Sequence, residues 1–275
     1  MTNAGSGDVS IFAVSADGLQ LVATAASGPA PKSVAEHGGL VYVLNTGAPS
    51  LSAFRIGAAG LEALEGSQRD LGAGSDPAQV GFSRDGRTLF VTDRGTDSIV
   101  LFGVDDDGLL GHPRVQPSSG PTPYGFAVTS GGTLVVAEAF GAQTGKAAAS
   151  SYRVGGDSLA PVSRSIGNGR SEICWAVLTK DERFAFTTNF ADGAVSRYAV
   201  GPDGDLTLDD AAAAIAVDGQ PGLRDEDLTR DGRFLYAIDA DGGRIYGWAV
   251  GEGGALAPVG SWNGLPSTVA GLAAG

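Results

Sequence analysis

The sequence predicts an all-β fold, on three observations. The 275 residues include 44 glycines, well above the usual share of about 7%, and they fall between short apolar runs. Those runs are rich in Val, Ile, Phe and Leu and are bounded by Asp-Gly and related turn signals, as strands are. One aromatic column repeats along the chain: Phe12, Phe54, Phe102, Tyr152, Tyr198 and Trp248 recur at intervals of 42 to 50 residues. Two residues after each stands a β-branched residue, in order Val14, Ile56, Val104, Val154, Val200 and Val250. A period of this length holding four strands is that of propeller blades rather than of helical repeats. An isolated blade exposes two apolar faces, and stacking against neighbours covers both.

The stretch from Pro77 to Leu109 serves as the template. Pro77–Ser83, Thr88–Thr92 and Ser98–Val104 are predicted as three strands of an antiparallel meander. Asp85-Gly86 and Arg94-Gly95-Thr96-Asp97 supply the turns, and Asp107-Gly108 leads into a fourth strand. The entry turn recurs at Asp181-Glu182-Arg183 and Asp231-Gly232-Arg233, with glycine-rich counterparts at Gly38-Gly39 and Gly131-Gly132. The second strand ends in its own column: Asn45, Asp93, Glu138, Asn189 and Asp239, with Asn3 fitting the series. Asn and Asp cap a turn by bonding backbone N–H groups two residues on. Glutamate is too long to do so as well, which makes Glu138 a candidate general base or ligand-orienting carboxylate.

Complete repeats begin near Pro31, Pro77, Pro123, Ser171 and Gly222. A sixth is split between the termini, with Thr268–Gly275 expected as its first strand and Asp8–Ala26 as its third and fourth. Its second strand would be the stub Met1-Thr2-Asn3, so the chain is expected to be an N-terminally shortened version of a longer propeller. No linker interrupts the pattern, and residues 1–275 are expected to form a single domain.

Thirty-one acidic against eighteen basic residues leave a formal charge of -13, the wrong balance for a nucleic-acid partner. The single cysteine, Cys174, excludes an internal disulfide and a Cys-based zinc site. With only His37 and His112 in the chain, a Cys/His nucleophilic pair is not expected either. No metal site and no cofactor is assigned. No apolar run approaches the roughly 18 residues of a membrane span. Neither a basic nor an apolar leader opens the sequence, so the default compartment is the cytoplasm, with secretion open if a signal peptide precedes Met1.

Three further features bear on a site. The loop Phe140–Lys146 is longer than its equivalents, and long loops on a rigid scaffold are where sites are built. The innermost strand Leu223–Leu228 carries Arg224, Asp225, Glu226 and Asp227 where its counterparts are apolar. Those charges must pair, reach water or hold a cation. Tyr124 and Trp175 stand on other innermost strands, as packing or as a ligand surface.

Laid out in this way, FSRDGRTLFVTDRGTDSIVLF, LTRDGRFLYAIDADGGRIYGW and VLNTGAPSLSAFRI resemble the repeats of the lactonase family of seven-bladed β-propellers. That family includes 6-phosphogluconolactonase and carboxymuconate cyclases. The resemblance implies a seven-bladed plan with activity at one mouth of a central channel. It implies four polar residues there. A histidine is expected in a segment that here reads Asp76-Pro77-Ala78-Gln79, and an arginine where Pro121–Gly125 stands. A glutamate is expected at a position kept as Glu138, and a second arginine where Thr188–Ala191 stands. One of the four is present. The function so implied is hydrolysis or formation of a lactone ring of a sugar acid or muconate-type molecule. Glu138 would be the catalytic residue, with Gln79, Tyr124, Trp175, Arg224 and Asp225 binding the substrate. The three missing residues support the alternative of a non-catalytic propeller that binds a small molecule or protein.

Overall fold

A computed structural model of the chain describes residues 1–58, 60–156, 158–217, 219–266 and 268–275. The fold is a β-propeller: the described residues form six antiparallel sheets, or blades, and two short 3-10 turns at Phe140–Ala142 and Glu252–Gly254. The described residues fall into two compact units.

The first unit, Met1–Pro117 with Gly156–Ser158, holds three blades. Its first blade has three strands, β1 (Thr2–Asn3), β2 (Asp8–Ser15) and β3 (Gly18–Ala26). The second runs β4 (Pro31–His37), β5 (Leu40–Asn45), β6 (Ser50–Gly57) and β7 (Gly60–Ala63), with β8 (Arg69–Asp70) also pairing β6. The third is β9 (Pro77–Phe82), β10 (Thr88–Asp93), β11 (Ser98–Gly103) and β12 (Arg114–Pro117). Tyr42, Leu44 and Leu51 pack with Leu89, Val91, Val100 and Phe102 to fill the space between the second and third blades.

The second unit, Ser118–Gly155 with Leu159–Gly275, holds three four-stranded blades. They are β13 (Pro123–Val128), β14 (Thr133–Glu138), β15 (Ala148–Gly155) and β16 (Ser158–Gly167); then β17 (Ile173–Leu178), β18 (Phe184–Asn189), β19 (Ala194–Val200) and β20 (Leu206–Ile215); then β21 (Leu223–Leu228), β22 (Phe234–Asp239), β23 (Arg244–Val250) and β24 (Leu256–Asn263). Phe186 and Val195 of the middle blade pack against Leu223, Leu235, Ala237 and Trp248 of the last.

The aromatic column is core in five of its six members, Phe12 being half-buried. Phe54, Phe102, Tyr152, Tyr198 and Trp248 are buried, and the buried hydroxyl of Tyr198 donates to Ile166 O at 3.0 Å. The β-branched residues two positions later lie nearer solvent; Val14 is 81% and Ile56 42% exposed. The entry turns are built alike. The hydroxyls of Ser83, Thr179 and Thr229 donate to Asp85, Asp181 and Asp231 at 2.6–2.7 Å. Each aspartate in turn accepts the N–H of Arg87, Arg183 or Arg233. These bonds hold all three carboxyls below the usual carboxylate range; that of Asp231 falls to about 2, with the Arg233 N–H as the largest cause.

One expectation fails. Thr268–Gly275 does not complete the first blade, which has three strands, and the segment carries no strand pairing. Its backbone instead finds acceptors in the second unit, where the N–H groups of Leu272 and Ala274 donate to carboxylates on β21. Among the described residues, no helix is long and apolar enough to cross a membrane.

Candidate functional site

In five of the six blades the innermost strand slips register near its start. The slip falls between Pro31 and Ser33 in β4, opposite Thr92/Asp93 in β9, and between Pro123 and Phe126 in β13. It falls between Ile173 and Ala176 in β17 and between Leu223 and Glu226 in β21. A bulge leaves residues without a ladder partner and re-aims their side chains, which is why bulges recur beside active sites. Gln79, Tyr124, Trp175, Arg224 and Asp225 all fall at or next to these slips.

Four of the five lie in the second unit, and three of them join in one strip. Gly125 lets β13 and β17 touch backbone to backbone, because a Cβ there would stand 2.6 Å from Trp175 Cα. The neighbouring Tyr124 therefore meets Trp175 edge to face, with ring centroids 6.4 Å apart. The Trp175 N–H donates to Thr188 Oγ1 at 3.1 Å, and that hydroxyl donates to the Arg224 carbonyl at 2.7 Å. One hydroxyl thus ties the bulge of β17 to that of β21, using its donor and an acceptor together. The Arg224 guanidinium lies over the Phe190 ring, 5.3 Å from its centroid, a cation–π contact. Tyr124, Trp175, Phe190 and Arg224 are all half-buried. The strip offers aromatic surface and one oriented guanidinium, the groups that hold a ring bearing an anionic or ester oxygen. Gln79 belongs to the other unit, half-buried on β9, where its N–H donates to Thr92 Oγ1 at 3.2 Å.

Glu138 has no accessible surface. Its Oε1 accepts from Ser118 Oγ at 3.1 Å and the Gly120 N–H at 2.8 Å, and its Oε2 accepts from Ser165 Oγ at 2.7 Å. Asp93 of the same column accepts the N–H groups of Gly95, in its own turn, and of Asp76, just before β9, and Asp239 accepts that of Gly242. Glu138 likewise clasps the segment preceding β13, and its second oxygen also engages Ser165 of β16. Gly120 must be glycine for this, since a Cβ would come within 2.5 Å of Glu138 Oε2. Thr122, Phe140, Ala142 and Ser165 all have positive φ in the same region, strain that surrounding contacts must hold. The Phe140–Lys146 loop is part of this corner: Gly141 N–H donates to Thr122 Oγ1 at 2.9 Å.

The charged strand β21 divides its acids. Asp225 and Asp227 share one face and Glu226 takes the other, as alternation requires. Glu226 opposes Ala237 in the register where Val80, Phe126 and Ala176 oppose Val91, Val136 and Thr187. It therefore occupies a position that is apolar core in three other blades. Neither of its oxygens makes a hydrogen bond of ordinary geometry, and among the described residues the Thr188 backbone N–H is the one group that favours its charged form. Burial, then the neighbouring Asp225 and Asp227, push its carboxyl well above the ordinary glutamate value. Burial likewise raises Asp225, to about 7, and Asp227. A carboxyl that cannot be solvated or paired keeps its proton. The three carboxyls do not converge, and among the described residues no group of acidic, His or Cys side chains is placed to hold a metal.

The profile described as "Lactonase, 7-bladed beta-propeller" matches residues 1–144. The chain belongs to this lactonase family. No curated protein matches the sequence. Among solved structures, this lactonase-family chain is similar to a functionally unknown protein from Desulfotomaculum acetoxidans. The TM-score is 0.76 at 12% identity, covering 97% of this chain and 82% of that one. A protein from Bacteroides uniformis, provisionally called 6-phosphogluconolactonase, has a TM-score of 0.75 at 21% identity, covering 90% and 76%. The periplasmic gluconolactonase of Pseudomonas aeruginosa has a TM-score of 0.73 at 20% identity, covering 92% and 78%. At such identities the likeness is one of fold.

Within this lactonase-family fold the structure joins Tyr124, Trp175 and Arg224, and it sets Glu138 apart as a buried clasp. Asp225 is buried beneath residues 271–275. Two contributors went unnoticed in the sequence, Thr188 and Phe190. A signal for the first exists: Thr92 and Thr188 share a register position and both accept the N–H of a bulge residue.

Proposed function

We propose that the strip Tyr124–Trp175–Phe190–Arg224 binds a small cyclic ester of a sugar acid, or the open acid, and that the protein acts on the lactone ring. The observation that carries this reading is Arg224, whose guanidinium lies over Phe190 and whose backbone carbonyl is tied through Thr188 to the Trp175 bulge. Aromatic faces pack against the C–H faces of sugar rings, while a guanidinium pairs with a carboxylate or draws charge onto an ester oxygen. Family membership and the name of the Pseudomonas structure support the substrate class. A second reading, a binding propeller without catalysis, is favoured by Glu138, whose two oxygens are already engaged by three donors.

The test measures glucono-δ-lactone hydrolysis by proton release, and gluconate binding by calorimetry, for the wild type, Arg224→Ala and Glu138→Gln. Loss of both binding and hydrolysis in Arg224→Ala supports the strip as the site. Binding without hydrolysis in the wild type favours the second reading. Unchanged behaviour of Arg224→Ala removes the strip from the function altogether.

A further inference from the structure

Residues 271–275, Gly-Leu-Ala-Ala-Gly, run along β21 without joining its sheet. Exposure alternates along them: residues 272 and 274 are half-buried, and residues 271, 273 and 275 are exposed. This is the period of a strand. The N–H groups at 272 and 274 do not meet backbone carbonyls. They donate to Asp225 Oδ2 at 2.8 Å and Asp227 Oδ2 at 2.9 Å. Two carboxylates spaced two apart on one strand face thus stand in for the carbonyl row of a neighbouring strand. The spacing of an extended backbone's alternate N–H groups is the spacing this pair accepts.

Two features mark the segment as an occupant rather than as core. Its side chains are small, and the one large apolar group, Leu272, is only half-buried, so little apolar area holds it in place. Asp225 Oδ1 is buried and without a partner, so the segment fills one of the two oxygens that Asp225 offers. A buried acceptor left unmet costs free energy that a better-matched occupant would recover.

We propose that the Asp225–Asp227 face of β21 is a receptor for an extended peptide backbone, and that residues 271–275 are its displaceable resident. The chemistry that fits it is a strand of small residues donating alternate N–H groups. A further donor reaching Asp225 Oδ1 would tighten the fit. By register Asp225 is the counterpart of Trp175, each standing one residue before Glu226 or Ala176, so the resident covers the β21 member of that position. The receptor is argued from its own hydrogen bonds and does not depend on the lactone reading.

Hydrogen exchange on the full chain at one pH tests it without any sugar ligand. The amides of Leu272 and Ala274 are expected to exchange about tenfold more slowly than those of residues 271 and 273, the scale of one net hydrogen bond. In Asp225→Ala/Asp227→Ala that protection disappears while the amides of β22 and β23 keep theirs, which verifies the fold. Asp227→Ala alone, at a half-buried position, releases residue 274 and spares 272. Adding the acetylated peptide Val-Ala-Gly-Leu-Ala-Ala-Gly in millimolar excess speeds exchange at both amides of the wild type. Unprotected amides in the wild type, protection that survives the double substitution, or no response to the peptide would each overturn the proposal.

Discussion

Glu138 and Glu226 are both sealed from solvent, at 0% and 1% exposure, yet their surroundings are opposite. Glu138 ends β14 and meets three donors drawn from two other segments. Glu226 sits mid-strand in β21, in a register that is apolar elsewhere, and meets none in ordinary hydrogen-bond geometry. The first carboxylate closes a corner that its neighbours shape around it. The second is a polar group placed in an apolar seam, where only the protonated form is tolerable. Burial alone therefore says little about what a carboxylate does; the count of donors decides whether it stabilises or strains its site.

The comparison breaks most visibly at Glu138. Glu138→Ala leaves three donors unmet around a void and is expected to cost about 3–5 kcal/mol, read as a lowered urea midpoint with unchanged slope. A loss below about 1 kcal/mol would show that water replaces the clasp and that the corner is not organised by it. Glu226 predicts the reverse sign. Glu226→Val restores the residue type found at Val80 and is expected to raise stability by about 1–3 kcal/mol. A destabilised Glu226→Val would mean that the carboxyl has a partner on which the seam depends.

The third effect, a trend rather than a step, is the response to pH. Unfolded, Asp225 titrates near 3.9, whereas folded it titrates at about 7. Below about pH 4 both states hold the proton. From there to about pH 7 only the unfolded chain ionises, so the native state binds more protons and stability falls as pH rises. Glu226 and Asp227 shift in the same direction and deepen the slope. Denaturation midpoints taken from pH 5 to pH 8 should therefore decline in the wild type and decline less in Glu226→Val. Parallel profiles would show that these carboxyls find charge partners as the protein opens.

The residues that pack were the easier ones to read. The template strands Pro77–Phe82, Thr88–Asp93 and Ser98–Gly103 end within one residue of the boundaries set by their turns, because Asp-Gly turns and apolar alternation are local signals. Phe102 and Tyr198 belong to a core that six-fold repetition announces. The site was read less completely. Arg224 stands out on a strand unlike its counterparts, and Tyr124 and Trp175 are legible as packing or a ligand surface, but Thr188 and Phe190 are ordinary until two strands approach within a hydroxyl's reach. Glu138 differs from its column in length, and the donors it engages are visible only in the packing of Ser118, Gly120 and Ser165.

The sequence by itself determined the all-β character, the blade period, the aromatic seams and the family, since each is written in spacing that repeats. Tertiary structure decided what no spacing encodes. It placed three donors on Glu138 and none in ordinary geometry on Glu226, laid the Arg224 guanidinium on Phe190, and sent residues 271–275 to β21 rather than to the first blade. The physical reason is the same in each case. A repeat specifies backbone path through local turns and alternation, whereas a carboxylate's role depends on donors that approach from distant parts of the chain.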